Sequence, residues 1–235
     1  MRKSVILLLC LLLCGCSRSE PVVQTVPAVQ TMPTATEQAI PVESTVEGAL
    51  PEPEDGDFVR ILDYIPGAEQ ELFYATDRNF TGQRIYEFED AYLRYGTVKK
   101  LMAVAEELGN KGYGLKIWDG FRPVAAQFAL WEVCPDPAYV SNPETGFSSH
   151  SRGNTVDLTL VDRVGVELVM PTAFDDFTEK ADRDYTDCTE EERRNAQLLQ
   201  TVMESHGFRG YAGEWWHFTD TETYPVEEDY YPPVG

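Results

Sequence analysis

Basic residues are scarce in this chain. Nineteen Lys and Arg stand against 40 Asp and Glu, for a formal net charge of −21. That balance argues against broad nucleic-acid binding and against adhesion to anionic lipid, since both need a basic surface. Histidine is scarcer still, at three in 235 residues, so the place of each one matters. No apolar run approaches the ~20 residues of a membrane-spanning helix. Glycine (17) and proline (15) are too few and too scattered for a collagen-like or wholly low-complexity chain. Of five cysteines, only Cys134 and Cys188 lie beyond residue 16. An exported protein permits a disulfide between them, and two separate buried thiols fit the sequence as well.

The N-terminus reads as an address. Met1-Arg2-Lys3 is a basic head, followed by a short apolar run from Val5 to Cys14. This is the pattern of a secretory signal, here residues 1–15. The run ends in Leu13-Cys14-Gly15-Cys16, which resembles a bacterial lipobox. Only Cys16 has a small residue before it and polar chain after it, so Cys16 is the expected lipidation site. Residues 16–56 carry prolines at 21, 27, 33, 41, 51 and 53 and no aromatic residue. Such a stretch buries too little apolar surface to offset ordering and reads as a disordered tether. The expected arrangement is a domain outside the cytoplasm, touching the membrane only through its lipid.

Residues 57–235 hold all three histidines and all four tryptophans, and one domain accounts for them. Apolar residues at helical spacing predict a helix from Thr97 to Leu108, stopped by Gly109. Gly114 to Asp119 alternates as a strand. Pro123 is suited to the first turn of a helix carrying Phe128, Leu130 and Trp131. Thr155 to Val161 predicts a strand with Val156, Leu158 and Leu160 on one face and Asp157 on the other. Thr189 and Glu192 form a capping-box pattern opening a helix through Met203, closed by Gly207. Trp215 to Thr219 ends the domain as a strand. Helices and strands alternate too irregularly for a doubly wound sheet. The expected fold is therefore α+β, with a small, mostly antiparallel sheet and flanking helices.

Chemistry concentrates in three places. In the segment from Ser148 to Asp157, His150 precedes a glycine turn and Asp157 projects from the strand that follows. Glu214-Trp215-Trp216-His217 supplies a second imidazole three residues after a carboxylate. His150, Asp157 and His217 make a three-ligand set for one catalytic zinc ion with a vacant fourth position. Glu214 is then the candidate general base. In Trp118-Asp119-Gly120-Phe121-Arg122-Pro123, Arg122 follows a strand end and a glycine turn, well placed to stabilise an oxyanion. The bland alternatives are a packed aromatic histidine, a turn aspartate and a surface ion pair for Arg122. Two of only three histidines in matched acid–imidazole contexts favour the metal. His206 fits a helix C-terminus and receives no catalytic role.

These three motifs, with Asn79-Phe80-Thr81-Gly82 and Gly207-Phe208, resemble the D-alanyl-D-alanine dipeptidases known from vancomycin-resistance systems. The similarity runs from about Phe58 to Pro225. The resemblance implies a zinc fold shared with D,D-carboxypeptidases and the hedgehog signalling domain. It implies zinc on His150, Asp157 and His217, Glu214 as base and Arg122 on the transition-state oxygen. It further implies that Asp175, with Asp176 beside it, receives the substrate ammonium, and that Ser148 or Ser149 helps bind the terminal carboxylate. The partner would be a small D,D-dipeptide or a peptidoglycan stem peptide. A D,D-carboxypeptidase acting on stem peptides is the nearest alternative. A non-catalytic zinc domain binding cell-wall peptide is a second, disfavoured because binding alone requires neither Glu214 nor Arg122.

Overall fold

The computed structural model describes residues 52–137 and 139–234. The expected signal, Cys16 and all of the tether up to residue 51 lie outside the described residues. A two-stranded antiparallel pair, β1 (Phe58–Arg60) and β3 (Tyr92–Arg94), flanks the main sheet. Between them lie the one-turn helix α1 (Ile61–Tyr64) and the short β2 (Glu69–Gln70). Helix α2 (Tyr95–Lys111) leads into β4 (Gly114–Asp119), followed by α3 (Val124–Val133) and β5 (Thr155–Val161). Helix α4 (Glu190–Ser205) then feeds the hairpin β6 (Phe208–Tyr211) and β7 (Glu214–Asp220).

The main sheet has the order β2-β4-β5-β7-β6, antiparallel except for the β2–β4 edge pair. Helices α2 and α4 touch each other and cover β4, β5 and β7. Val156, Leu158 and Leu160 are fully buried with Val98, Leu101, Leu199 and Met203 of those helices in one core. Strand alternation then sends Asp157 to the opposite face, as the sequence predicts. The α+β architecture with a small, mostly antiparallel sheet is therefore the observed one.

Local differences from the expectations have simple causes. Helix α2 runs through Gly109 and ends at Gly112, whose left-handed φ of 88° suits a residue without a Cβ. Two more buried positions, Tyr95 and Gly96, draw its start forward to the end of β3. Pro123 lies at the N-cap of α3 rather than within its first turn. The Thr189–Glu192 capping box is present with both reciprocal bonds. Residues 52–56, expected within the tether, are held on the domain. Tyr95 donates to Glu52, the Gly96 amide to Asp55, and Arg94 Nη1 to the Gly56 carbonyl at 2.6 Å. Cys134 and Cys188 are both free thiols, so no disulfide joins them.

Candidate active site

Two adjacent strands and one tight turn build the site. Asp157 on β5 and His217 on β7 are direct cross-strand partners, which places their side chains on the same face. His150 arrives from a 3₁₀ turn, Ser149–Arg152, that immediately precedes β5. Ser148 caps this turn by accepting from the His150 amide at 3.3 Å. Gly153 closes it in the left-handed region (φ 74°), where a Cβ would collide with the Phe58 ring.

Glu214 presents a geometric problem, because residues three apart on a regular strand point to opposite faces. A register shift resolves it. Gly210 of β6 pairs with Phe218 of β7, whereas Tyr211 pairs with Glu214. Trp215, Trp216 and His217 are thus looped out of the β6–β7 ladder, and this bulge turns Glu214 back toward His217. Arg183 fastens the bulge by donating to the carbonyls of Tyr211, Trp215 and His217. Behind it, Trp215 and Trp216 are completely buried, and Trp215 meets Trp118 at 5.5 Å. The aromatic pair that the sequence placed beside the histidine is a rigid wall under the site.

The ligand atoms of His150, Asp157 and His217 all lie within 4.8 Å of one another. His150 Nδ1 is 2.8 Å from the Gly120 carbonyl, which can only accept, so the proton sits on Nδ1. Its Nε2 lone pair therefore faces inward, 3.3 Å from Asp157 and 3.4 Å from His217 Nδ1. His217 Nε2 lies 3.5 Å from the hydroxyls of both Ser149 and Thr219, an outlet for its own proton. Asp157 Oδ1 is buried 3.0 Å from His217 Nδ1 and forms no hydrogen bond among the described residues. Two imidazole nitrogens and an orphaned carboxylate oxygen thus converge. Such a set fits a divalent cation, and two nitrogens with one carboxylate suit zinc.

Charge around the set is strongly perturbed. Burial opposes the ionised form of Asp157, but His150 and His217 outweigh it and hold the carboxyl well below the usual range. Burial also disfavours the His150 cation, yet Asp157 prevails and raises its pKa. Glu214, with Oε2 3.5 Å from His217 Nδ1, is pushed up mainly by burial. Burial drives Asp175 up to about 8, against the opposing hydrogen bond from Tyr74. Asp175 also sits at φ 55°, a strained backbone for a residue with a Cβ.

Arg122 is no surface ion pair. Its side chain is 10% exposed and lies 2.7 Å from the fully buried Asp119 carboxylate. Nη1 donates to Gln127 Oε1 at 3.0 Å, Nε donates to the Tyr86 hydroxyl at 3.2 Å, and the guanidinium lies over the Tyr74 ring. A guanidinium has five N–H donors, so two remain for a ligand. Asp119, Tyr86, Gln127 and Tyr74 are site residues to which the sequence reading gave no role. Asp119 stood inside a recognised motif, and a carboxylate three residues before an arginine was the one available signal.

All the expected residues line or adjoin one cleft of about 280 Å³: Arg122, Ser148, Ser149, His150, Asp157, Asp175, Glu214 and His217. Asp175 lines it and accepts from Tyr74 at 2.9 Å, whereas Asp176 turns away to accept from the Thr178 amide. His206 pairs with Glu107 at 2.9 Å, away from the cleft lining.

Comparison with known proteins agrees with the motifs. The Peptidase_M15 family model, described as D-ala-D-ala dipeptidase, matches residues 54–232. The D-alanyl-D-alanine dipeptidase of Escherichia coli (strain K12) is 37% identical over 166 residues, spanning 70% of this chain and 86% of its own. The Enterococcus faecium D-alanyl-D-alanine dipeptidase is 33% identical over 189 residues, spanning 72% and 94%. The corresponding protein of Enterococcus faecalis (strain ATCC 700802 / V583) is 34% identical over 182 residues, spanning 68% and 90%. With a family match over residues 54–232 and a cleft whose lining fits a divalent cation, the chain belongs to the D-Ala-D-Ala dipeptidase family of metallopeptidases.

Proposed function

We propose that this chain hydrolyses the dipeptide D-Ala-D-Ala to two D-alanines, using one zinc ion held by His150 Nε2, His217 Nδ1 and Asp157. The observation that carries this reading is the convergence of two imidazole nitrogens and one carboxylate oxygen, beside a raised carboxyl and a buried guanidinium. Zinc held there would supply Lewis acidity toward water and the scissile carbonyl.

The chain's own groups do the rest. Glu214, its carboxyl poised above the usual range, takes a proton from the attacking water and delivers it to the leaving amine. Arg122 keeps two N–H groups for the oxygen that gains charge, and Asp119 and Gln127 hold its plane still. Asp175 receives the substrate ammonium at one end of the cleft. Ser148 and Ser149 bind the terminal carboxylate at the other. Trp216 also lines the cleft and helps exclude water.

The test is a metal-dependent assay on D-Ala-D-Ala, L-Ala-L-Ala and a stem pentapeptide side by side. Chelation is expected to abolish dipeptide hydrolysis and one equivalent of zinc to restore it. Glu214→Ala is expected to retain zinc while losing turnover. A parent protein as inert as Glu214→Ala refutes the reading, and a preference for the pentapeptide transfers it to the carboxypeptidase class. We further propose that Cys16 carries lipid and that the enzyme works outside the cytoplasm, on the strength of the leader and the Gly15-Cys16 junction.

A further inference from the structure

Three aromatic side chains that the proposed reaction leaves without a chemical task meet at one end of the cleft. Phe177 stands two residues after Asp175 and lines the cleft. Its ring lies 5.3 Å from Phe80, edge to face, and 4.9 Å from Tyr139. Phe80 in turn meets the ring of Tyr74, the partner of Asp175, at 6.3 Å. The cluster therefore belongs to the Asp175 end. Tyr139 comes from the segment joining α3 to the His150 turn, and Phe177 from the segment between β5 and α4. Both line the cleft, so their contact ties one loop to the other at that end.

Packing gives little reason for this arrangement. Phe80 is 36% exposed and Tyr139 46%, in a domain that buries Trp215 and Trp216 completely. Ring contacts of this kind add only about 0.5–1.5 kcal/mol beyond burial. Their position matters more. With the scissile carbonyl at the three-acceptor set and the ammonium at Asp175, a peptide extended at its amino end must leave the cleft past Asp175. Phe177 stands two residues from Asp175 in the chain, and Phe80 joins its ring to Tyr74, so the rings stand on that side.

We propose that Phe177, braced by Phe80 and Tyr139, is the specificity-determining wall that limits the substrate to two residues. The inference rests on the dipeptidase reading and names what enforces it. Charge alone sets no such limit. Burial raises the Asp175 carboxyl to about 8, so at neutral pH the empty cleft presents an acid able to donate to an amide carbonyl as well as to receive an ammonium. The rings exclude the longer chain by volume.

The experiment compares the full-length zinc-loaded parent, Phe177→Ala and Tyr139→Ala on two substrates, D-Ala-D-Ala and an N-acylated tripeptide ending in D-Ala-D-Ala. The readout is the tripeptide-to-dipeptide ratio of kcat/KM, in which any loss of folded protein cancels. Phe177→Ala is expected to raise that ratio by about tenfold or more, the scale at which pocket walls discriminate. Tyr139→Ala, which removes one brace from the surface, is expected to raise it by less. If the parent cleaves the dipeptide and neither variant moves the ratio, the wall is refuted and the dipeptidase reading stands. If the parent cleaves the tripeptide as well as the dipeptide, or cleaves neither, both fall.

Discussion

Replacing Asp119 by alanine probes the electrostatic foundation of the site. Asp119 is fully buried and accepts from the Tyr86 hydroxyl at 2.9 Å, the Gly120 amide at 2.8 Å and Arg122 Nη2 at 2.7 Å. Among the described residues it is the one carboxylate in contact with the Arg122 guanidinium, whose other polar contacts, Gln127 and Tyr86, are neutral. Removing it strands a cation in a nearly dry pocket. Breaking a buried pair in this way costs about 3–5 kcal/mol, against about 0–1 kcal/mol for an exposed pair. Asp119→Asn keeps the shape and an acceptor for Tyr86, so its loss is expected to be smaller, about 1.5–3 kcal/mol, the range of a hydrogen bond to a charged group. The assay is urea unfolding of the metal-stripped protein, which separates this term from zinc binding. In the zinc-loaded enzyme, a displaced Arg122 is expected to lower kcat by about 10²–10³, as for the loss of an oxyanion donor, with less change in KM. A stability loss under about 1 kcal/mol for Asp119→Ala would place the pair in the exposed class and refute the reasoning.

Two further outcomes are expected. Burial raises Asp175 to about 8, above its unfolded value, so between about pH 4 and pH 8 the unfolded chain releases a proton that the folded chain keeps. The metal-stripped protein should therefore lose stability as pH rises through that window, and Asp175→Asn should flatten the profile. An identical slope in the variant removes Asp175 as the cause, leaving Glu214, whose carboxyl burial also raises, to account for it. Second, Cys16→Ser should release the protein from the membrane fraction of its host and abolish incorporation of labelled fatty acid, whereas retention in the membrane by the variant refutes the anchor.

Local chemistry was readable from the sequence, and long-range pairing was not. His150, Asp157, Glu214 and His217 announce themselves because each pair lies within seven residues and few histidines compete. Their meeting depends on β5 and β7 being neighbours, a fact that strand alternation alone does not supply. Alternation even predicts the wrong face for Glu214, and only the bulge opposite Gly210 corrects it. The support of Arg122 was similarly hidden. Tyr86 lies 36 residues upstream, and no spacing rule connects a buried phenol to a guanidinium at that distance. Tyr74 and Asp175 are 101 residues apart. At Gly109 the sequence offers a plausible helix stop. The helix continues because Leu108 is buried and the left-handed turn fits Gly112 better.

Arg94 has a consequence for how the domain is produced. This buried side chain donates to the Gly56 carbonyl, to the Arg152 carbonyl of the His150 turn and to Glu227, while the Phe58 ring stacks against it at 4.0 Å. The leading and trailing segments of the domain thus share one guanidinium with the turn that carries His150. A recombinant form begun at Asp57, the boundary that composition suggests, or cut short of Glu227 strips acceptors from that cation. The damage would surface as weakened zinc retention in a protein whose catalytic residues are all intact.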